Sequence, residues 1–172
     1  TEISAEIEEL IQIGIHHEKQ HQELLMTDIK YILGNNPLLP KYSNDFKEHT
    51  PQTETQEWLS FTEGVYEIGH NKDTFCYDNE LGRHKTYIQD FEISNKLVTN
   101  GAFIEFIEAG GYQDFNYWHA DGWEWVKEEN HTHPMYWHKV NGDWHHYTLQ
   151  GLKPIDPKAP LCHVSYYEAF AY

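Results

Sequence analysis

Positive charge is scarce in this chain of 172 residues. It contains 12 lysine and arginine residues against 28 aspartate and glutamate residues, which gives a formal net charge of −16. Binding to nucleic acid depends on clustered lysine and arginine side chains, and so does attraction to an anionic membrane surface. The composition therefore argues against a nucleic-acid partner and against a membrane partner.

Cysteine and long apolar runs are also rare. The two cysteines, Cys76 and Cys162, are too few for a disulfide framework and do not form a C-x-x-C pair. We expect two reduced thiols in a cytoplasmic protein, with Cys162 as a buried structural thiol. No apolar run approaches the ~18–20 residues needed to span a bilayer, and the acidic N-terminus does not resemble a signal peptide.

The two ends of the chain suggest a piece of a longer protein. The chain begins without methionine, and it stops at Tyr172 inside a pattern that predicts a new helix. Aromatic residues make up 15% of the sequence, which is enough to build a packed core rather than a disordered chain. We therefore expect a folded segment that is truncated at both ends.

Residues 2–33 have the pattern of one long amphipathic helix. Apolar side chains and two histidines recur at steps of three and four residues, and Gly34 is predicted to end the helix. This stripe consists of Ile3, Ile7, Leu10, Ile11, Gly14, His17, His21, Leu24, Leu25, Asp28 and Ile32. Such a stripe must pack on other helices, which we expect in a preceding N-terminal part.

Two histidines on this stripe suggest a metal site. His17 and His21 are four residues apart, so they face the same way, and they spell the H-E-x-x-H pattern of helical metal sites. Burying two unpaired imidazoles is costly, and a bound metal would satisfy them. His17 and His21 are therefore predicted metal ligands. Gln20, close to them on the helix, is either a packed amide or a hydrogen-bond donor to a substrate, whereas His16 is expected to be exposed.

The same pattern occurs in zinc peptidases, where the glutamate is a general base. That role would fall to Glu18. The extended peptidase motif places a glycine and a third histidine where this chain has Leu24 and Thr27. A zinc hydrolase is therefore a less favoured alternative.

The rest of the chain changes in character. Residues 35–56 read as a linker, and residues 57–172 read as short strands, turns and helices rich in aromatics. The local predictions are a hairpin of 58–61 with 65–68, a strand at 85–93, a helix capped by Thr99 or Asn100 and ended by Gly110-Gly111, a helix at 121–129, a hairpin turning at Asn141-Gly142, and a helix capped by Ser165. This pattern predicts an α+β fold.

Seven further histidines lie between residues 119 and 163 of this second region. They show no spacing typical of a metal site, and neighbours on a strand point to opposite faces. We interpret all of them as non-ligands: His119, His131, His133, His138, His145, His146 and His163.

The order of motifs along the chain resembles a known family. Residues 14–30 look like the end of the DinB-like helical domain of ergothioneine-type sulfoxide synthases, and the second region resembles their formylglycine-generating-enzyme-like, C-type-lectin-like domain. The matching segments of the second region are 63–70, 78–80, 98–101, 108–112, 121–123, 154–156 and 162–169.

The resemblance implies a domain organisation and a chemistry. Residues 1–34 would be the last helix of the DinB-like domain, 35–56 a linker, and 57–172 the N-terminal part of the lectin-like domain. The family joins a cysteine-type thiol to the imidazole of Nα-trimethylhistidine, using O₂ and a non-haem iron(II) held by three histidines.

The resemblance also assigns roles to residues. Two of the iron ligands would be His17 and His21, and the third would lie on an earlier helix. Gln20 matches a position that contacts the histidine-derived substrate. The catalytic tyrosine and the residues that bind the thiol substrate are expected beyond Tyr172. We therefore expect the chain by itself to be inactive.

Two questions stay open at this stage. The thiol could be cysteine or γ-glutamylcysteine. A lectin-like fold also serves as a scaffold, so a non-catalytic binding or structural module is an alternative of a different class.

Overall fold

The structure is a computed structural model that describes residues 4–45 and 55–172. It divides into two compact units. The first contains the described residues up to Ile29 together with Gln56–Asn95, and the second contains the described residues of Lys30–Thr55 together with Lys96–Tyr172. The predicted domain boundaries at residues 34 and 57 stay predictions, since much of the predicted linker, at 46–54, lies outside the described residues. Ile3 of the predicted stripe also lies outside them.

A long helix begins the described chain, as predicted. Helix α1 spans Ala5–Gly34. At its end, the side-chain amide of Asn35 donates to the carbonyl of Tyr31 at 2.8 Å and so satisfies one of the last helical carbonyls.

The first unit contains two pairs of antiparallel strands. Strand β1 (Trp58–Phe61) pairs with β4 (Phe91–Ser94), and β2 (Gly64–Ile68) pairs with β3 (His84–Ile88). The two strand pairs share one register. Phe61 faces Phe91, and Gly64, three residues after Phe61, faces Ile88, three residues before Phe91. They therefore form two halves of a single two-stranded ribbon.

The predicted hairpin between residues 58–61 and 65–68 is wrong. A tight hairpin turn needs residues with positive φ, and Gly64 is not among the positive-φ residues. The chain instead stays extended through this point and pairs with a later segment. There the backbone N–H of Glu63 donates to the carboxylate of Asp90 at 2.5 Å, and this contact coincides with the break in the predicted strand 85–93.

The second unit contains three helices that follow clear sequence signals. Helix α2 (Asn100–Glu108) begins at Thr99, whose hydroxyl accepts from the N–H of Ala102, and it stops before Gly110, where φ is +90°. Helix α3 spans Ala120–Glu129, and helix α4 spans Tyr166–Ala171. These helices confirm the predictions at Thr99, 121–129 and Ser165.

A three-stranded antiparallel sheet completes the second unit. Strands β5 (Trp137–Val140), β6 (Asp143–Thr148) and β7 (Gly151–Pro154) are joined in sequence order. The β5–β6 turn has φ of +52° at Asn141 and +95° at Gly142, the signature of a type I′ turn. The Asn141-Gly142 hairpin prediction is therefore confirmed.

The core of the second unit is aromatic. Its buried members are Phe103, Tyr112, Trp118, Val126 and Ala171. The indole N–H of Trp118 donates to the carbonyl of Gly111 at 2.8 Å, so its polar atom is satisfied within the core.

A buried carboxylate ties the start of α4 to this core. Glu168 is 2% exposed. It accepts from the backbone N–H of Ser165 at 2.7 Å and from the phenol of Tyr112, while the Ser165 hydroxyl accepts from the Glu168 N–H. These contacts form a capping box. Together with a long helix and small sheets, this core confirms the α+β class.

In the part of the chain that the structure describes, no helix combines the length and the apolar character needed to cross a membrane.

We expect that Gly142→Ala lowers the free energy of unfolding by about 1–2 kcal/mol, because an alanine at positive φ strains the type I′ turn. Urea denaturation would measure the change. Gly64→Ala is the matched control, since the added Cβ would meet only the ring of Tyr66, at 3.6 Å. An equal effect at the two positions would contradict the assignment of strain to the turn.

Candidate metal site

The two predicted metal ligands lie together on helix α1. The Nε2 atoms of His17 and His21 are 3.2 Å apart, with the ring centroids at 4.4 Å and the rings inclined by 69°. Both residues are exposed. In this arrangement one neutral ring can donate to the other, and a metal ion can take the place of the shared proton.

This distance fits a metal ion. Imidazole nitrogens bind at about 2.0–2.1 Å from zinc, and two nitrogens 3.2 Å apart at that distance subtend about 100–106° at the ion. The angle lies between those of octahedral and tetrahedral coordination, so the spacing suits iron and zinc alike. Within residues 4–45 and 55–172, no group of three histidine, cysteine, aspartate or glutamate side chains could hold an ion. The source of a third ligand therefore stays a prediction.

Gln20 is exposed on the same helix, three residues after His17. Residues three apart on a helix are surface neighbours, so its amide is within reach of a ligand held beside the imidazole of His17. Its role in substrate binding stays a prediction.

His16 lies in a different environment from the one expected. It was predicted to be exposed, but it is half-buried and its ring stacks on Phe75 at a centroid distance of 3.8 Å, with Tyr77 at 6.4 Å. Phe75 lies far along the chain, in the segment between β2 and β3, so helical periodicity does not reveal it. Successive residues are turned by about 100°, and the inward position of His16 leaves His17 facing outward.

The described residues leave the predicted apolar stripe of α1 exposed. Leu10 is 62% exposed and Leu24 is 55% exposed, and Ile7, Leu25 and Ile32 are similarly open. Exposed apolar side chains in a row are typical of an interaction surface. The prediction that other helices cover this stripe is not tested by the described residues.

A second cluster of basic groups lies in the second unit, at the end of α1. The ammonium of Lys30 donates to Nε2 of His163 at 2.7 Å and lies 4.9 Å from the centre of the Tyr136 ring. His163 and Tyr136 both have positive φ, +62° and +69°, which is uncommon for residues with a side chain. The sequence did not predict this cluster, because its members are separated by up to 133 positions.

Burial and charge set the protonation of this cluster. Desolvation of the ring, together with the positive charges of Lys30 and His146, lowers the pKa of His163 to about 4, although part of the residue lies at the surface. Burial also lowers the pKa of Lys30, while Cys162 opposes that shift. The imidazole of His163 is therefore neutral at physiological pH and accepts the hydrogen bond from Lys30.

A cavity of about 510 Å³ lies beside this cluster within the second unit. Its lining includes Gly34, Tyr136, His138, His163 and Glu168. The Nε2 atom of His138 is buried there without a hydrogen-bond partner among the described residues, and burial lowers the pKa of this imidazole.

Several other histidines of the second unit have packing roles. His119 stacks on Phe170 at 3.5 Å, and His131 stacks on Trp125 at 3.8 Å. Cys162, predicted to be buried, is exposed, because the segment before α4 runs along the surface. Its thiol lies 3.7 Å from the carbonyl of Pro160.

These observations define an architecture in which a helical histidine pair is followed by an α+β region with an aromatic core. Residues 43–172 match the family model described as the sulfatase-modifying factor enzyme 1-like domain. This match covers most of the chain, and the chain belongs to that family.

Similarity to individual proteins is more specific than the match to the domain family. The chain is 34% identical over 160 residues to the hercynine oxygenase of Mycolicibacterium smegmatis and 28% identical over 158 residues to that of Mycolicibacterium thermoresistibile. These matches cover 92% of this chain but 36% and 34% of the two relatives. The chain thus spans about a third of their length.

A more distant relative carries a related name. The chain is 21% identical over 122 residues to ergothioneine biosynthesis protein 1 of Schizosaccharomyces pombe, a match that covers 63% of this chain and 14% of that protein. The predicted resemblance to the ergothioneine-type family is confirmed by these relatives, which place the chain in a family that includes oxidoreductases.

We expect acid to destabilise the second unit through His163. Its pKa is about 6.5 when unfolded and about 4 when folded, so the unfolded chain binds the proton more readily. The resulting stability is complete above the unfolded value and is lost as the pH falls from about 6.5 towards about 4. NMR titration of the His163 ring and urea denaturation across this range would measure both effects.

The variant Lys30→Met provides the control for this titration. It removes the neighbouring charge but keeps a long apolar side chain, so the pKa of His163 should rise while burial still holds it below the ordinary value. An ordinary titration of His163 in the parent chain, or one that Lys30→Met leaves unchanged, would contradict the assignment.

Proposed function

We propose that this chain is part of a non-haem iron(II), O₂-dependent sulfoxide synthase. The enzyme joins a cysteine-type thiol to the imidazole of Nα-trimethylhistidine, as in ergothioneine biosynthesis. The observation that carries the proposal is the pair of Nε2 atoms 3.2 Å apart on α1, in a chain whose relatives are named oxygenases.

His17 and His21 would hold the iron through the lone pairs of their Nε2 atoms. Imidazole is a ligand that suits iron, and two ligands leave positions for a further protein ligand and for substrates. When bound there, iron(II) would supply the activation of O₂ and of the thiol. Both rings are exposed in this chain, so their nitrogen lone pairs are available to an ion.

Gln20 would orient the histidine-derived substrate. Its side-chain amide donates hydrogen bonds and carries no charge, so it can bind an imidazole nitrogen without competing for the metal. A third histidine and a catalytic tyrosine would come from parts of the protein that this chain does not include. The substrates are small molecules, and the strongly acidic composition does not favour a nucleic-acid partner.

We expect His17→Ala and His21→Ala, each made in the full-length protein, to reduce O₂ uptake more than about 100-fold. Removing a metal ligand should lower the metal affinity more than removing a residue that only orients a ligand. O₂ uptake would be measured with Nα-trimethylhistidine and either cysteine or γ-glutamylcysteine, so the faster thiol is identified in the same assay. His16→Phe is the control, since it keeps a ring stacked on Phe75 and should retain activity.

Two results would contradict the proposal. Absence of O₂ uptake with any thiol and histidine derivative would exclude the synthase. Full ligand binding by a His17→Ala, His21→Ala double variant would favour a non-catalytic module. Glu18→Gln separates the proposal from a zinc hydrolase, because a hydrolase needs this carboxylate as a general base and the synthase does not.

This chain by itself should bind iron(II) weakly. Two ligands give less affinity than three, and we expect a dissociation constant at least about 100-fold above that of the full-length protein. Anaerobic equilibrium titration would measure both constants. Tight stoichiometric binding by the chain alone would refute the expectation that a third ligand lies elsewhere.

A further inference from the structure

The segment between β2 and β3 forms a closed loop, residues 70–82. The last pair of the two strands, Ile68 with His84, brings its ends together. At this neck the guanidinium of Arg83 donates to the carbonyl of Gly69 at 2.8 Å. A Cβ on Gly69 would lie 2.8 Å from the Cα of Arg83, and φ of Gly69 is +115°, so the close approach requires glycine. Compact loops whose ends meet in this way are frequently functional.

Hydrogen bonds inside the loop support its backbone. The N–H of His70 donates to the carbonyl of Glu80 at 2.9 Å, and the carboxylate of Glu80 accepts from the N–H of Tyr77 at 2.8 Å. The Nε2 atom of His70 lies 2.7 Å from the carbonyl of Lys72 and 3.2 Å from that of Thr74. Because a carbonyl can only accept, this nitrogen carries the proton and donates it. The loop is therefore a firm support for the side chains that it carries.

Two aromatic rings of this loop contact helix α1. The ring of Phe75 is nearly parallel to the imidazole of His16, with an angle of 9° and a centroid distance of 3.8 Å. The ring of Tyr77 is turned edge-on to both, at 6.4 Å from His16 and 5.0 Å from Phe75. Stacked and edge-to-face contacts are both favourable arrangements of such rings. A cluster of three rings thus joins α1 to the loop.

A cavity separates α1 from the loop beside this cluster. Its volume is about 630 Å³, and the helix contributes Glu9, Gln12 and Ile13 to its lining. Residues three and four apart are neighbours on a helix, so His16 lies on the same face as Gln12 and Ile13. Ile13 is 49% exposed, so the packing there is loose. Among the described residues of this face, the ring cluster is therefore the close contact between α1 and the loop.

We propose that Phe75 is a positioning residue that fixes the metal-binding helix against the ribbon of strands β1–β4. The inference rests on the proposed function, because it takes His17 and His21 as metal ligands. The spacing of these two imidazoles is set within α1, so Phe75 does not determine the affinity for the metal. The catalytic tyrosine and the groups that bind the thiol would lie further along the chain than the ribbon. Displacement of α1 would therefore separate the metal from the groups with which it must act.

The first experiment compares Phe75→Ala with the parent in the full-length protein. We expect kcat for O₂ uptake with Nα-trimethylhistidine and a thiol to fall about 10–100-fold, because a small misplacement of reacting groups costs this much. The cobalt(II) dissociation constant, measured anaerobically by absorption titration, should stay within about twofold, since the helix itself sets the spacing of the two ligands. Circular dichroism would confirm that the variant is folded.

Two further variants are the controls. Phe75→Tyr keeps a ring that can stack on His16, so it should retain kcat within about threefold of the parent. Phe61→Ala is the matched control, because it removes a ring that stacks on Phe91 at 4.8 Å in the same unit and leaves α1 untouched. It should change neither kcat nor the cobalt affinity.

A measurement without metal or substrate tests the placement of the helix directly. Spin labels on Gln22→Cys in α1 and on Lys85→Cys in β3 would report the distance between helix and ribbon by double electron–electron resonance, after the other cysteines are replaced by serine. Both labelled positions are exposed. The distance distribution should be narrow in the parent, broader in Phe75→Ala and narrow again in Phe75→Tyr.

The outcomes separate this inference from the proposed function. Absence of O₂ uptake by the parent would overturn the proposed function. In a parent that consumes O₂, an unchanged kcat or an unchanged distance distribution in Phe75→Ala would overturn the role of Phe75 alone. A loss of cobalt affinity as large as the loss of kcat would also overturn it, since general loss of structure would then explain both. An equal loss of kcat in Phe61→Ala would overturn it as well, because the effect would not depend on the contact with α1.

Discussion

Stacking between His16 and Phe75 places the His16 side of α1 against the rest of its unit. A helix turns by about 100° per residue, so one inward side chain sets the direction of its neighbours. Because His16 faces inward, His17 and His21 face outward and keep their Nε2 atoms accessible. The candidate site therefore depends on a contact made by the histidine that the metal does not need.

The geometry of the histidine pair fits a metal ion, and it does not select one metal over another. A separation of 3.2 Å suits tetrahedral and octahedral ions alike. The proposal of iron rests on the relatives and on the domain that follows the helix. In this molecule the spacing of two residues indicates a possible metal site, and the rest of the chain indicates the protein family.

Sequence signals predicted the local features and missed the distant ones. Thr99 and the Asn141-Gly142 turn act through hydrogen bonds and φ angles within a few residues, so their effects are readable from neighbours. The contacts of His16 and of Lys30 join segments far apart in the chain, and helical periodicity carries no information about them. The predicted hairpin near Gly64 was wrong for a related reason: the partner of a strand depends on register with a later segment.

The single register shared by the two strand pairs of the ribbon constrains how this sequence can change during evolution. Residues 58–61 pair with 91–94 and residues 64–68 pair with 84–88 in the same register, and the segment that carries Phe75 begins where the second pair ends. Inserting one residue in one strand would shift every later pair by one position and turn the side chains to the opposite face. A length change in the ribbon is therefore tolerable only when both strands change by the same number of residues. One added residue in each strand would move Phe75 by about 3.3 Å along the ribbon axis.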